Sequence, residues 1–169
     1  MRYAQLRKMD ISNGLGVGVA LFVQGCHFHC KNCFNPETWD FNGGKELTAE
    51  VVDTILNLIE PEYIMRFSVL GGEALEPQNF FELAKLIHLV KWKKPSIKIW
   101  VYTGFVYEDL LRQDDLYLEY ILDNIDVLVD GPFQEDKKDL TYPFAGSTNQ
   151  RVIDMVQTRE QGNVVLLKR

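Results

Sequence analysis

Three cysteines, Cys26, Cys30 and Cys33, fall within eight residues, and the chain has no others. Thiolates this close together can curl round a single iron-sulfur cubane and grip three of its irons. The fourth iron is then left free to bind a substrate, whereas four protein thiolates would saturate the cluster and suit plain electron transfer. Zinc is the competing reading, because Cys3His sites exist and His27 and His29 sit inside the loop. Zinc sites, however, usually pair their cysteines in two knuckles, and neither histidine stands at the usual distance of a fourth ligand. The odd count argues against a disulfide framework.

A second group with chemical potential is Gly71-Gly72-Glu73, at the end of the strand-like run Arg66 to Leu70. Two glycines let a ligand approach the backbone closely, and a carboxylate accepts a charge-assisted hydrogen bond from an ammonium group. A glycine pair after a strand is by itself just a turn. It gains weight if the fold carries it to the same rim as the cysteines.

The elements around both groups alternate. Strand-like Gly16 to Gln24 leads into the cysteine loop. Thr48 to Ile59 has helical spacing of Val51, Val52, Ile55, Leu58 and Ile59, with Thr48 as N-cap and Pro61 beyond the end. Strand-like Ile64 to Leu70 follows, then a helix from Asn79 to Lys91, a strand from Ile97 to Thr103, a helix around Glu108 to Leu122, and a strand from Val127 to Asp130. Two further short strands are expected at Val152 to Thr158 and Val164 to Leu167. Alternation of this kind implies parallel strands with right-handed crossovers and functional loops at their carboxyl ends. A chain of 169 residues is too short for eight strand-helix units. The expected fold is α/β, an incomplete, open TIM-like barrel of about five or six mostly parallel strands with outer helices. We expect one domain over 1–169.

A net charge of −6 argues against broad phosphate-driven nucleic-acid binding, and no apolar run approaches the length of a membrane span. The charged start, Met1 to Asp10, is unlike a secretory signal, so the expected location is cytoplasmic, where free thiolates survive. The basic run Lys91, Lys93, Lys94 reads either as a solvated helix end before Pro95 or as a dock for an acidic electron donor. Gly14-Leu15-Gly16-Val17-Gly18 has the look of a dinucleotide fingerprint, but it precedes a strand instead of opening a helix. Phe80, Phe81, Trp92 and His88 read as helix packing residues.

Taken together, the cysteine spacing and Gly71-Gly72-Glu73 resemble the radical S-adenosylmethionine enzymes. That resemblance implies a 4Fe-4S cluster on Cys26, Cys30 and Cys33 whose free iron chelates the amino and carboxylate groups of S-adenosyl-L-methionine. It also implies that Glu73, beside Gly71 and Gly72, receives the methionine ammonium, and that Phe34 and the backbone near Asn35 border the adenine. The superfamily often carries an aromatic residue just before the third cysteine; here that position is Asn32 and the aromatic follows as Phe34. Four segments, Asp10 to Gly14, Phe34 to Trp39, Asp126 to Phe133 and Gly146 to Arg151, are similar to the activases that serve anaerobic ribonucleoside-triphosphate reductase, over about residues 5 to 158. Such an activase reductively cleaves S-adenosylmethionine and takes a hydrogen atom from a backbone glycine near the carboxyl terminus of the large reductase subunit. Its electron comes from a flavodoxin- or ferredoxin-type donor. On this reading Asp130 lines the barrel opening and Asn149 and Gln150 contact the cofactor or the incoming backbone, or each is a turn residue. The alternatives are an activase of pyruvate formate-lyase or another glycyl-radical enzyme, and a non-enzymatic zinc module.

Overall fold

Seven strands form a single sheet in a computed structural model that describes residues 1–168. In chain order the elements are β1 (Arg2–Asp10), β2 (Gly18–Val23), β3 (Lys45–Glu46), α1 (Ala49–Leu58), β4 (Arg66–Gly71), α2 (Phe80–Lys93), β5 (Lys98–Tyr102), α3 (Tyr107–Leu111), α4 (Leu116–Asn124), β6 (Val127–Asp130), β7 (Arg151–Asp154) and α5 (Met155–Gln161). The spatial order is β3-β1-β2-β4-β5-β6-β7. The centre β2-β4-β5-β6 is parallel, as the strand-helix alternation demands, and the flanking strands pair antiparallel. The sheet does not close, so the open barrel is present with seven strands instead of five or six.

The extra strands have a physical explanation. β1 was hidden in the sequence because its outer positions carry charged, largely exposed side chains such as Arg7 and Lys8, as suits a strand near a sheet edge. β3 is two residues that pair with the start of β1.

Two expected elements divide where a carboxylate caps a helix. The stretch around Glu108 to Leu122 becomes α3 and α4 because the Asp115 side chain accepts from the amides of Tyr117 and Leu118 at 2.8 and 3.0 Å, starting a new helix. Val152 to Thr158 is strand only as far as Asp154, whose carboxylate accepts from the Gln157 amide and opens α5. Val164 to Leu167 contributes a single bridge, Ile153 to Leu166. Thr48 caps α1 as expected, its hydroxyl accepting from the Val51 amide.

The lysine run is structural. Lys94 donates to the carbonyls of Ile59, Pro61 and Ile64, beyond the end of α1; Lys91 pairs with Asp126, and Lys93 with Glu60. Each ammonium thus has a local partner, which favours the helix-end reading.

Because every central strand is covered on both sides, alternate residues enter two different interiors. Val19, Leu21, Val23, Phe67, Val69, Ile99, Val101 and Leu128 face the helices and join the main apolar core. Ala20, Phe22, Arg66, Ser68, Leu70, Trp100, Tyr102, Val127 and Val129 occupy the other face. No helix among the described residues is long and apolar enough to cross a membrane.

Candidate functional site

The second face opens at the carboxyl ends of β2, β4, β5 and β6 into a cavity of about 650 Å³. Cys26, Cys30 and Cys33 line it together with Phe34, Asn35, Gly71, Gly72, Glu73, Thr103 and Gly104. Parallel strands place their carboxyl-terminal loops on one rim, which is why groups some 40 residues apart in the chain meet here.

The cysteine loop curls through two left-handed residues, His29 at φ 46° and Asn32 at φ 56°, each directly before a cysteine. A side chain is strained there unless surroundings hold it, and histidine and asparagine are among the residues that tolerate the region best. All three thiols are free. Burial pushes the Cys26 thiol up to about 11, against the pull of the Phe28 and His29 amides, and raises the Cys30 thiol against the Phe133 amide. The Asn35 amide donates to Cys33 Sγ at 3.4 Å. Bare thiolates are therefore disfavoured at Cys26 and Cys30, and a metal that takes the proton's place supplies the missing positive charge.

The donor set suits a cluster. Three free thiols line one cavity, with amides directed at the sulfurs, an arrangement that tunes cluster potential. Among the described residues no three His, Cys, Asp or Glu side chains converge as they would on a single ion. A cubane puts a separate iron behind each sulfur and so needs a wider cradle than zinc, whose ligands lie about 2.0 to 2.3 Å from one centre. The two histidines are engaged elsewhere: His27 Nδ1 lies 2.5 Å from Glu76 Oε1, and His29 stacks on Trp39 at 4.4 Å and 9°.

Gly71 and Gly72 do line the cavity, but what approaches them most closely is the chain itself. A Cβ on Gly71, at φ 106°, would lie 2.8 Å from the Val23 nitrogen, and one on Gly72 would lie 2.5 Å from the Gly25 carbonyl oxygen. The pair exists so that the two motif loops can touch, sealed by hydrogen bonds from Gly72 N to Val23 O and from Glu73 N to Gly25 O at 2.9 and 2.8 Å.

Glu73 is buried. Its Oε1 accepts from Leu75 N at 2.8 Å and from the Thr103 hydroxyl at 2.7 Å, while Oε2 accepts from Gly104 N at 2.7 Å. Burial nevertheless outweighs these donors and raises its carboxyl to about 7. Phe34 is half exposed beside Phe133, ring centroids 4.9 Å apart, with the Lys138 ammonium 5.4 Å from its ring centroid.

Asp130 and Asn149 are placed behind the wall. The Asp130 carboxylate is buried and held by Arg151 Nε and Nη2 at 3.0 and 2.5 Å and by the Tyr107 amide at 2.8 Å; Arg151 also grips Glu108. Asn149 donates to the Pro132 carbonyl at 2.7 Å. Gln150 reaches the cavity, but its amide is spent on Gly146, Ser147 and Gly131, so it fastens the loop that forms the wall.

A buried polar network behind the cavity has no role assigned from sequence. Fully buried Arg66 donates to Asp10 Oδ2 at 3.0 Å, to the Asp10 carbonyl at 2.8 Å and to the Ser68 hydroxyl at 2.5 Å; Ser68 in turn donates to the Asn13 carbonyl. The network fastens the 10–16 loop so that Ser12 and Asn13 line the cavity. Its signal was polar Arg66 and Ser68 at alternate positions of an otherwise apolar strand. Thr103 and Gly104, which hold Glu73, gave no local signal.

The sequence family of 4Fe-4S single cluster domains matches residues 12–153, a span that includes every one of these groups except Asp10. The chain is also 38% identical over 154 residues to the anaerobic ribonucleoside-triphosphate reductase-activating protein of Escherichia coli, covering 90% of this chain and 97% of that one. This chain belongs to that family. Proteins of the same name in Vibrio cholerae and Pasteurella multocida are 36% and 35% identical, covering 89% and 93% of this chain and 96% and 99% of theirs. The three thiols, which share one cavity, fall inside the span that matches the 4Fe-4S single cluster domain.

Proposed function

We propose that the chain is a radical S-adenosylmethionine activase whose target is the large subunit of anaerobic ribonucleoside-triphosphate reductase. Cys26, Cys30 and Cys33 would hold the 4Fe-4S cluster. When bound, the cluster would supply one-electron reduction of the S-adenosylmethionine sulfonium, its electron coming from a flavodoxin- or ferredoxin-type donor, for hydrogen-atom removal from the target glycine. Glu73 binds the ammonium of the methionine portion, a charge-assisted bond strengthened by burial. Phe34 and Asn35, on the same wall, border the adenine. The apolar surface of Phe22, Leu70, Phe133 and Phe144 keeps bulk water from the reacting centre, and the open sheet leaves room for a polypeptide segment to enter.

The single observation that carries this reading is the meeting of three free thiols and a buried carboxylate in one cavity, on a chain whose relatives are named as activators of that reductase. That shared name also favours the reductase over pyruvate formate-lyase as target. The test is anaerobic electron paramagnetic resonance of the reduced, reconstituted protein mixed with S-adenosylmethionine and the reductase subunit. A glycyl doublet is expected; its absence with an intact cluster rejects the proposal.

A further inference from the structure

Glu73 has two oxygens in unequal surroundings. Oε1 takes two donors, Leu75 N and the Thr103 hydroxyl, whereas Oε2 takes only Gly104 N. A carboxylate oxygen has about two acceptor positions, so Oε1 is filled and Oε2 keeps one open. The Thr103 hydroxyl itself accepts from the Phe105 amide at 3.1 Å, which leaves its proton free for Glu73. In that bond Thr103 donates and the Glu73 carboxylate accepts, at 2.7 Å.

We infer that Thr103 is a positioning residue, which by occupying Oε1 turns the open side of Oε2 toward the ammonium of the bound cofactor. The inference rests on the reading of Glu73 given above and adds the residue that makes its geometry selective. Held by Thr103, Leu75 and Gly104, the carboxylate is preorganised, and the ordering cost of binding a cation is met during folding. Without the Thr103 hydroxyl, Oε1 becomes a second, partly satisfied acceptor in a buried site, and only the Leu75 and Gly104 amides still orient the carboxylate. β5 supplies this control from its carboxyl end: the Thr103 amide still donates to the Val129 carbonyl of β6 at 2.9 Å, which fixes the backbone, while the Thr103 hydroxyl and the Gly104 amide reach Glu73.

The test uses Thr103→Val, which keeps the shape and loses the donor, and Thr103→Ser, which restores the donor. Both are reconstituted anaerobically, their iron and sulfide measured, and their dissociation constants determined for S-adenosylmethionine and for its desamino analogue. Thr103→Val is expected to weaken S-adenosylmethionine about tenfold, the worth of one hydrogen bond to a charged group. Thr103→Ser is expected to stay within about threefold of the parent, allowing for its lost methyl group. For the desamino analogue, which has no ammonium, the penalty of Thr103→Val is expected to vanish. An equal penalty on both compounds would reduce Thr103 to a general structural role, and a Thr103→Ser protein as weak as Thr103→Val would remove the hydroxyl from the argument; either outcome overturns the inference. If the parent protein with an intact cluster binds no S-adenosylmethionine, the proposed function itself fails, whereas parent-like binding by Thr103→Val sinks the Thr103 inference alone.

Discussion

The two faces of the sheet are made by the same strands and have opposite interiors. Toward the helices, Leu21, Phe67, Val69, Ile99, Val101 and Leu128 meet Ile55, Leu83, Ile87 and Ile121 in a continuous apolar core. On the cavity face, Phe22 and Leu70 line the opening, and Arg66, on the same face of β4 as Leu70, is buried in an ion pair with Asp10. One face spends its residues on close packing, which stabilises; the other keeps an opening and several buried polar groups, which is the arrangement a binding site requires. Stability and function are thus separated by a period of two along each strand.

This contrast can be broken most severely at the rim. Cys30→Ala should abolish cluster assembly, because two thiolates cannot hold the cubane, while leaving the apolar core untouched. Iron and sulfide analysis after anaerobic reconstitution, paired with a thermal melt of the metal-free protein, checks both halves. Near-parental iron content in the variant would refute the ligand assignment.

Behind the cavity, Arg66→Met should destabilise the metal-free protein by about 3 to 5 kcal/mol, because the buried Asp10 carboxylate loses its buried cation and keeps only the partly exposed Arg7 at 3.7 Å. Adding Asp10→Asn should recover part of that loss, a coupling that urea unfolding of the two single variants and the double variant measures. Strict additivity would show that the pair is not a unit.

Glu73 gives a pH signature. Its folded carboxyl titrates near 7, above its ordinary value of 4.5, so the folded state holds the proton more tightly than the unfolded state. The associated stability is complete below pH 4.5 and is lost as pH rises to about 7, a decline of about 3 kcal/mol from the size of the shift. Stability of the metal-free protein measured from pH 4.5 to 8 should show the decline, and Glu73→Gln should flatten it.

The mildest test compares one chemical change on the two faces. Leu83→Ala, in the helix-side core, should cost about 3 kcal/mol because it leaves a closed void, and Leu70→Ala about 1 to 2 kcal/mol because its site already opens on the cavity. Equal costs would mean that the cavity face is packed as tightly as the core.

Much of this arrangement could be read in advance. Thr48, followed by Val51, Val52 and Ile55 at helical spacing, announced α1 to within a residue, and Val127–Asp130 is the strand expected. Arg2–Asp10 was missed because a charged strand near an edge lacks the apolar run of its buried neighbours. The split at Asp115 was missed because a capping carboxylate inside an apolar stretch looks like any exposed acid. In the site, the cysteines, Phe34, Asn35 and Gly71 to Glu73 were named and do share a cavity, while Asp130 and Asn149 were named and stand outside it.

By itself the sequence determined the cysteine loop, the carboxylate after the glycine pair and the alternation of strand and helix, since all three depend on neighbours within a few residues. Only the tertiary structure decided which polar groups were left available. Arg151 claims Asp130 from 21 residues away, Gly25 fills the space beside Gly72, and Thr103 holds one oxygen of Glu73 from 30 residues away. A buried polar group must find a partner somewhere, and which partner it finds is a matter of distance in space that no local pattern encodes.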